Sequence, residues 1–146
     1  MNDNRTTGML LEDQICFPLY AASREVIKGC RPQLDAMGLT YTQYIVLLII
    51  WAETTVSVRD LGRRLYLDSG TLTPVLKTLE KNGLITRRRS QEDERVLLVT
   101  ITEKGMALRE QAQEIPGVVK AGLGLTQEER ETLYRLLYKV LAAAGK

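Results

Sequence analysis

The stretch VSVRDLGRRLYLDSGTLTPVLKTLEKNGLITRRRSQEDERVLLVTIT, residues 56–102, decides the fold. Apolar positions recur at helical spacing over Val58–Leu65 and again over residues 70–82, with the short linker 66–69 between them. Gly83 follows the second run, where a helix ending in a left-handed cap favours a residue without Cβ. Two runs with strand character come next, residues 84–88 and 95–101, separated by the polar turn 89–94. Helix, short turn, helix, then a basic hairpin is the order of a winged helix-turn-helix, whose second helix is shaped to enter a major groove.

The charges agree with that geometry. Between Arg59 and Arg89 stand eight cations (Arg59, Arg63, Arg64, Lys77, Lys81, Arg87, Arg88, Arg89) against three acids (Asp60, Asp68, Glu80). This local surplus of five sits in a chain of net charge +2, so the remainder carries −3. Phosphate binding needs a basic face of this kind rather than a basic protein. The competing reading is a solvated helix face beside a charged hairpin. Ser69, Thr71 and Thr73 are short polar residues near the start of the second helix, suited to base edges or phosphates, with the Thr methyls able to meet a thymine methyl. Ser69 reads equally as a helix cap. Lys77, one to two turns on, fits phosphate, and Arg87 and Arg88 extend the basic run into the hairpin. Arg95 at the wing tip is placed for a narrow minor groove, and Asp93 on the same turn is expected to hold its direction; a plain surface ion pair is the alternative. Pro74 is expected at the fourth or fifth position of its helix, where a missing donor costs little.

Composition removes most enzyme readings. There is no histidine, which excludes Ser-His-Asp and Cys-His catalysis and imidazole-based zinc sites. No GxGxxG or GxxxxGK[ST] motif is present, and two cysteines, Cys16 and Cys30, make neither a disulfide framework nor a CxxC metal site. No cofactor and no metal are expected. One hundred and forty-six residues suffice for one domain with a core. The longest apolar run, residues 45–52, is too short to span a membrane, and the polar residues 1–7 do not resemble a secretory signal, so a cytoplasmic protein with no membrane partner is expected.

Around the central stretch the chain reads as helices. Residues 1–9 look disordered. Residues 10–34 carry Leu11, Ile15, Leu19, Ala22, Val26 and Ile27 on one helical face, with Pro18 early and Pro32 and Gly38 loosening the far end. Thr40 with Gln43 forms a capping box, opening a helix to Glu53 that is apolar nearly all round and so should be the buried spine. Ser57 is expected to cap the third helix, and Asp68 or Ser69 the fourth. Thr102 caps a helix over about residues 103–114, interrupted by Pro116 and Gly117. Thr126 with Glu129 opens a last helix to about Ala144, with a stripe of Leu133, Leu136, Leu137, Val140 and Leu141. The fold class is therefore mainly α with a small β-hairpin wing. Residues 1–40 are expected to form a dimerisation helix carrying Cys16, 41–102 the DNA-binding unit, and 103–146 further dimerisation helices. The terminal helices have little to pack against alone, so a symmetric homodimer reading an inverted repeat in double-stranded DNA is expected.

On the residues alone, Cys16 is either an inert thiol on an apolar helix face or a reactive one. Tyr20 lies four residues on, one turn away on the same face, and early helical turns favour a thiolate. The segments Gln14-Ile15-Cys16-Phe17-Pro18-Leu19-Tyr20, Leu39-Thr40-Tyr41-Thr42-Gln43-Tyr44 and Leu67-Asp68-Ser69-Gly70-Thr71-Leu72-Thr73-Pro74, the last followed by Asp93-Glu94-Arg95 and Ile101-Thr102, together resemble the MarR family of regulators. More narrowly they resemble its organic-hydroperoxide sensors, the OhrR type, over nearly the whole length. The first segment is the specific one. The resemblance implies a repressor that leaves its operator when a hydroperoxide oxidises Cys16, with Tyr20 beside the thiol and Tyr41 approaching it from the second subunit. This chain departs at one point: where single-cysteine relatives carry another tyrosine late in the first helix, it has Cys30, and no cysteine stands near the C-terminal helices where two-cysteine sensors keep a resolving thiol. On one continuous helix Cys16 and Cys30 would lie about 21 Å apart, beyond the roughly 7 Å Cα reach of a disulfide. The resemblance then leaves two fates for oxidised Cys16: a bridge to Cys30 of the partner subunit, or capping by a small cellular thiol. Two other functions stay open: a MarR-type repressor released by a small aromatic ligand, and a thiol peroxidase.

Overall fold

A computed structural model describes residues 9–145 of the chain; the expectation for residues 1–8 lies outside the described residues. Eight α-helices and a small sheet are described: α1 Cys16–Gly29, α2 Arg31–Met37, α3 Tyr41–Glu53, β1 Thr55–Ser57, α4 Val58–Leu65, α5 Ser69–Lys81, β2 Ile85–Arg89, β3 Leu97–Ile101, α6 Glu103–Ala112, α7 Ile115–Leu123 and α8 Gln127–Ala144, with a 3-10 turn at Leu11–Asp13. No single helix among the described residues is long and apolar enough to cross a membrane.

The expected spine is α3. Thr40 and Gln43 exchange both capping-box bonds, and Tyr44, Val46, Leu47, Ile50 and Trp51 are buried. Each large apolar side chain so buried contributes about 1.5–3 kcal/mol. Leu61 of α4, Leu72, Leu76 and Leu79 of α5, Ile85 of β2 and Val99 of β3 close around it, so the helix-turn-helix and the wing share one core.

Local signals set most boundaries. Ser57 accepts the Asp60 N–H at 3.1 Å and Asp68 accepts that of Thr71 at 2.7 Å; the cap of α5 is thus Asp68, with Ser69 its first helical residue. At the other end of α5, Gly83 sits at φ 76°, and the Gly83 and Leu84 N–H groups bond back to the Glu80 and Leu79 carbonyls at 2.9 and 3.0 Å. That is the left-handed stop read from the sequence, in its two-bond form.

Four expectations need correction. The single helix over residues 10–34 is two: α1 ends at Gly29, Cys30 leaves helical geometry, and α2 restarts with Pro32 in its first turn, where a missing N–H is harmless. Pro74 is the sixth residue of α5, inside the ladder, so Gly70 loses its i+4 partner. Pro116 opens α7 rather than merely ending α6. The hairpin is also not alone, because β1 pairs with β3 (Val56 opposite Val99), giving an antiparallel sheet of order β1-β3-β2.

The joint between wing and C-terminal helices is tight. Thr102 Oγ1 donates to the Gly83 carbonyl (2.7 Å) and accepts from the Gly105 N–H (3.0 Å), and Lys104 Nζ donates to the Asn82 carbonyl (2.8 Å). Trp51 Nε1–H donates to the buried Gly105 carbonyl at 2.9 Å. A Cβ on Gly105 would stand 2.2 Å from the Leu84 carbonyl oxygen and 2.6 Å from Ile101 Cδ1. Gly105→Ala should therefore cost at least about 2 kcal/mol by overpacking. Urea unfolding at fixed protein concentration measures it, and a midpoint equal to wild type would show that α6 yields where the packing says it cannot.

Candidate nucleic-acid interface and thiol site

The helix α5 presents Ser69, Gly70, Thr71, Pro74, Lys77, Thr78 and Lys81 outward, while Leu72, Leu76 and Leu79 face the core. Ser69, Thr71 and Lys77 of the expected set therefore lie on the open face, and Thr73 is half-buried at its side. Asp68 is held below the ordinary carboxylate range by the Thr71 N–H and then by the Thr71 hydroxyl.

In the turn beyond β2, Arg95 projects into solvent: its side chain is 92% exposed. Asp93 grips it through Nε–Oδ1 at 3.1 Å and Nη2–Oδ2 at 3.2 Å, and also accepts the Arg95 backbone N–H at 3.1 Å. The two-point hold matches a planar guanidinium to a carboxylate and aims the arm. Arg95, through its side chain and then its backbone N–H, keeps Asp93 below the usual carboxylate range. Between α4, the start of α5 and the wing tip runs a cleft of about 720 Å³, with Arg59, Arg63 and Arg95 at its edge over a floor that includes Val58, Leu72 and Leu97. Arg59 and Arg63 were counted in the basic surplus but not singled out, because sequence alone does not say which cations share a cleft.

Arg87 and Arg88 part company. Arg88 is exposed, whereas Arg87 is half-buried against Glu80. Arg63 pairs with Asp60, and Arg64 with Glu53 and, at 3.7 Å, with Asp60.

Cys16 is the first residue of α1 and exposed. Ile15 offers no side-chain cap to that helix end, which leaves its positive end open to an anion. Tyr20 follows one turn on, and Arg24 one turn further donates to Tyr20 Oη at 3.3 Å while lying 5.4 Å from the ring centre. Arg24 escaped the sequence reading although its i+4 spacing from Tyr20 was the available signal. Cys30 is different: it is fully buried at the α1–α2 corner, its thiol donating to the Ile27 carbonyl at 3.3 Å. Tyr41 lies on that side, with its ring 5.9 Å from that of Tyr44, and burial, then the neighbouring Cys30, raises its pKa. Within one chain the structure thus groups Cys16 with Tyr20 and Cys30 with Tyr41, at opposite ends of α1. Among the described residues no group of three His, Cys, Asp or Glu could hold a metal ion.

Comparison with known proteins settles the class. The family described as "Transcriptional regulator SarA/Rot" matches residues 30–112. The organic hydroperoxide resistance transcriptional regulator of Bacillus subtilis is 49% identical over 142 residues, 95% of each chain. A mutant MarR of E. coli complexed with operator DNA superposes with a TM-score of 0.78 at 27% identity, covering 86% of this chain and 92% of that one. The chain belongs to the MarR family of transcriptional regulators. It is a DNA-binding regulator built on a winged helix-turn-helix. AbfR of Staphylococcus epidermidis, reduced and bound to DNA, is a further neighbour (TM-score 0.76, 34% identity, 93% and 95% of the two chains), and it has also been solved in overoxidised and disulfide-formed states.

For this MarR-family chain, the Asp68 cap gives a signed pH expectation. Its folded pKa is depressed, so the cap's stabilisation is complete above the unfolded carboxylate value and is lost as pH falls through the folded one. Asp68→Asn keeps an acceptor but cannot titrate, so its melting temperature should fall less than wild type between about pH 5 and 3. Parallel declines would detach the cap from acid stability.

Proposed function

We propose that this chain is a repressor that leaves its operator when an organic hydroperoxide oxidises Cys16. The observation that carries the reading is the contrast between the two thiols: Cys16 exposed at an uncapped helix start beside Tyr20, Cys30 sealed in the core. Identity of 49% to a regulator named for organic hydroperoxide resistance supports it. The Cys16 thiolate attacks the O–O bond, forming S–O and expelling an alkoxide that leaves as the alcohol, and the cysteine becomes a sulfenic acid. A second thiol then displaces hydroxide as water and forms a disulfide.

For the DNA itself, Ser69, Thr71 and Thr73 meet base edges, Lys77 and Arg88 meet phosphate, and Arg95, steered by Asp93, enters the minor groove. The cleft with Arg59 at its edge, unpaired among the described residues, takes the sugar–phosphate strand that runs between the two grooves. The reader of an inverted repeat is a homodimer. In support, α1 and α8 bury no residue within the chain, and Ile15, Phe17, Leu19, Leu133, Leu136, Leu137 and Val140 are all exposed. Two chains joined along these faces cover that surface and bring Tyr41 of one toward Cys16 of the other. Such a protein works in the cytoplasm and needs no cofactor.

The burial of Cys30 favours a small cellular thiol over Cys30 of the partner subunit as the group that resolves oxidised Cys16. Helix α1 is continuous from Cys16 to Gly29, so an intrachain bridge is closed off by length. A crossing bridge would first have to open the α1–α2 corner. A second reading, release by a small aromatic ligand, draws on a groove of about 310 Å³ between α3 and α6–α7, lined by Tyr44, Leu48, Trp51 and Arg109 among others.

The test uses a duplex selected by the reduced wild-type protein from a random-sequence pool. Organic hydroperoxide should release wild type and leave Cys16→Ser bound; a Cys16→Ser protein that is released equally well sinks the sensor reading. A non-reducing gel of the oxidised wild type distinguishes an adduct of a small thiol on a monomer from a covalent dimer that disappears in both Cys16→Ser and Cys30→Ser. Sedimentation at micromolar concentration should show one species of dimer mass. A well-folded monomer there would remove the dimer proposal.

A further inference from the structure

Arg87 and Arg88 are neighbours on β2, and consecutive strand residues point to opposite faces of a sheet. The register decides which faces they take. Arg87 stands opposite Val99, the buried centre of β3, and Ile85, on the same face, is buried as well. Arg88 stands opposite Leu98 on the other face. A single surface of DNA cannot be met by both in the same way.

What Arg87 meets on its own face is Glu80, in the last turns of α5. Its Nη2 and Nε donate to Glu80 Oε1 at 3.0 and 3.3 Å, and its backbone N–H donates to Oε2 at 2.9 Å. The carboxylate is therefore bound on both oxygens, and the guanidinium side chain is only 20% exposed. Arg59, Lys77, Lys81, Arg88 and Arg89 differ from it, having no ion-pair partner among the described residues. Glu80 and Arg87 lie on either side of Gly83, whose φ of 76° marks the turn of residues 82–84 between recognition helix and wing. A two-point tie across a joint fixes the angle at that joint.

We propose that Arg87 is a positioning residue of the DNA interface and not a phosphate contact: through Glu80 it locks the end of α5 to the first strand of the wing, and so sets where Arg95 stands relative to the open face of α5. The two arms must enter different grooves of one duplex at once. An error of a few degrees at Gly83 is magnified along the hairpin to Arg95 at its far end. Glu80 is kept below the ordinary carboxylate range by the Arg87 side chain and then its backbone N–H, so the tie is fully charged at neutral pH. The proposal rests on the DNA-binding reading of α5 and the wing.

The two roles for Arg87 demand opposite signs from one substitution. Glu80→Gln removes a negative charge beside the duplex and frees Arg87; if Arg87 were a phosphate contact held in reserve, DNA binding would tighten. As a brace, the same change loosens the joint. The experiment titrates wild type, Glu80→Gln, Arg87→Lys and Arg88→Ala with the duplex selected by the wild type, over a salt series. Glu80→Gln and Arg87→Lys are each expected to bind about five- to thirtyfold more weakly, the loss of a charge-assisted two-point bond. Their slopes of log K against log salt are expected to equal that of wild type, whereas Arg88→Ala should be shallower by about 1.8, one phosphate contact from each of the two subunits. Arg87→Lys keeps the charge, gives up the planar fork and disturbs the fold least, so it carries the test if Glu80→Gln does not fold. Glu80→Gln binding at or above wild-type strength, Arg87→Lys binding as wild type, or either slope shifting with that of Arg88→Ala would overturn the proposal. Failure of the wild type to bind any duplex would overturn the DNA reading along with it.

Discussion

Among the described glycines, Gly105 leaves least room for a side chain, pressed as it is against the start of the wing, and much of the architecture depends on that contact. With no side chain there, the first turn of α6 lies directly against the Leu84 carbonyl, and Trp51 reaches from the spine helix to the Gly105 carbonyl through a buried hydrogen bond. Three elements meet at one residue, Gly105: α3, the entry to β2, and α6. A buried carbonyl left without a donor would cost about 1–3 kcal/mol, so the indole and the missing Cβ are required together. Thr102 and Lys104 then tie α6 to the turn at Asn82 and Gly83 that follows α5.

That joint determines what can move. Reading helix, wing and α6 share one set of hydrogen bonds, so they are expected to travel as a block, with Gly83 and its flanking ties as the internal adjustment. Helices α7 and α8 lie beyond the joint, bury only Ile115 between them, and carry the apolar faces that a second chain would cover. Helix α1 packs on α7 and α2, and α2 packs in turn on α3 and α6, so a displacement at α1 can reach the DNA-facing surface through these packed helices. Oxidation chemistry at an exposed thiol and groove spacing at a distant helix can be coupled through such a lever because packed joints switch between arrangements rather than flexing continuously.

Much of this was legible in the sequence for identifiable reasons. The capping boxes at Thr40 and Thr126, the caps at Ser57 and Thr102, and the stop at Gly83 are local devices, completed within three or four residues, and each appears where the sequence places it. The missed features are those that local pattern does not encode. The first helix breaks at Cys30, where Pro32 was the local signal; how far it breaks was not legible, since the buried Cys30 thiol and Leu34 hold the corner in the core. Strand β1 has three residues and exists only through its pairing with β3. At the site, the pairing of Asp93 with Arg95 was readable from two-residue spacing, whereas the tie between Arg87 and Glu80 spans a turn and becomes visible only with register. Even so, the alternation of Ile85, Thr86, Arg87 and Arg88 held the clue, since the face that buries Ile85 also receives Arg87.

Counting charges along the chain gave a basic patch without saying which of its members are available. Arg63 and Arg64 are engaged by Asp60 and Glu53, and Arg87 by Glu80, so three of the eight cations of residues 59–89 serve the fold. Arg59, Lys77, Lys81, Arg88 and Arg89 remain, one on α4, two on the outer side of α5 and two on β2. Counterion release depends on cations that can approach phosphate, not on net charge. In the proposed complex the paired arginines are therefore not wasted positive charge: a braced guanidinium keeps its neighbours at fixed spacing, and fixed spacing would let the five solvated side chains meet a regular phosphate lattice together. The same division explains why Asp93 beside Arg95 does not weaken the wing. Its carboxylate orients a side chain that otherwise stands in solvent, and in the proposed complex that exchange of some attraction for direction would serve entry to a narrow minor groove.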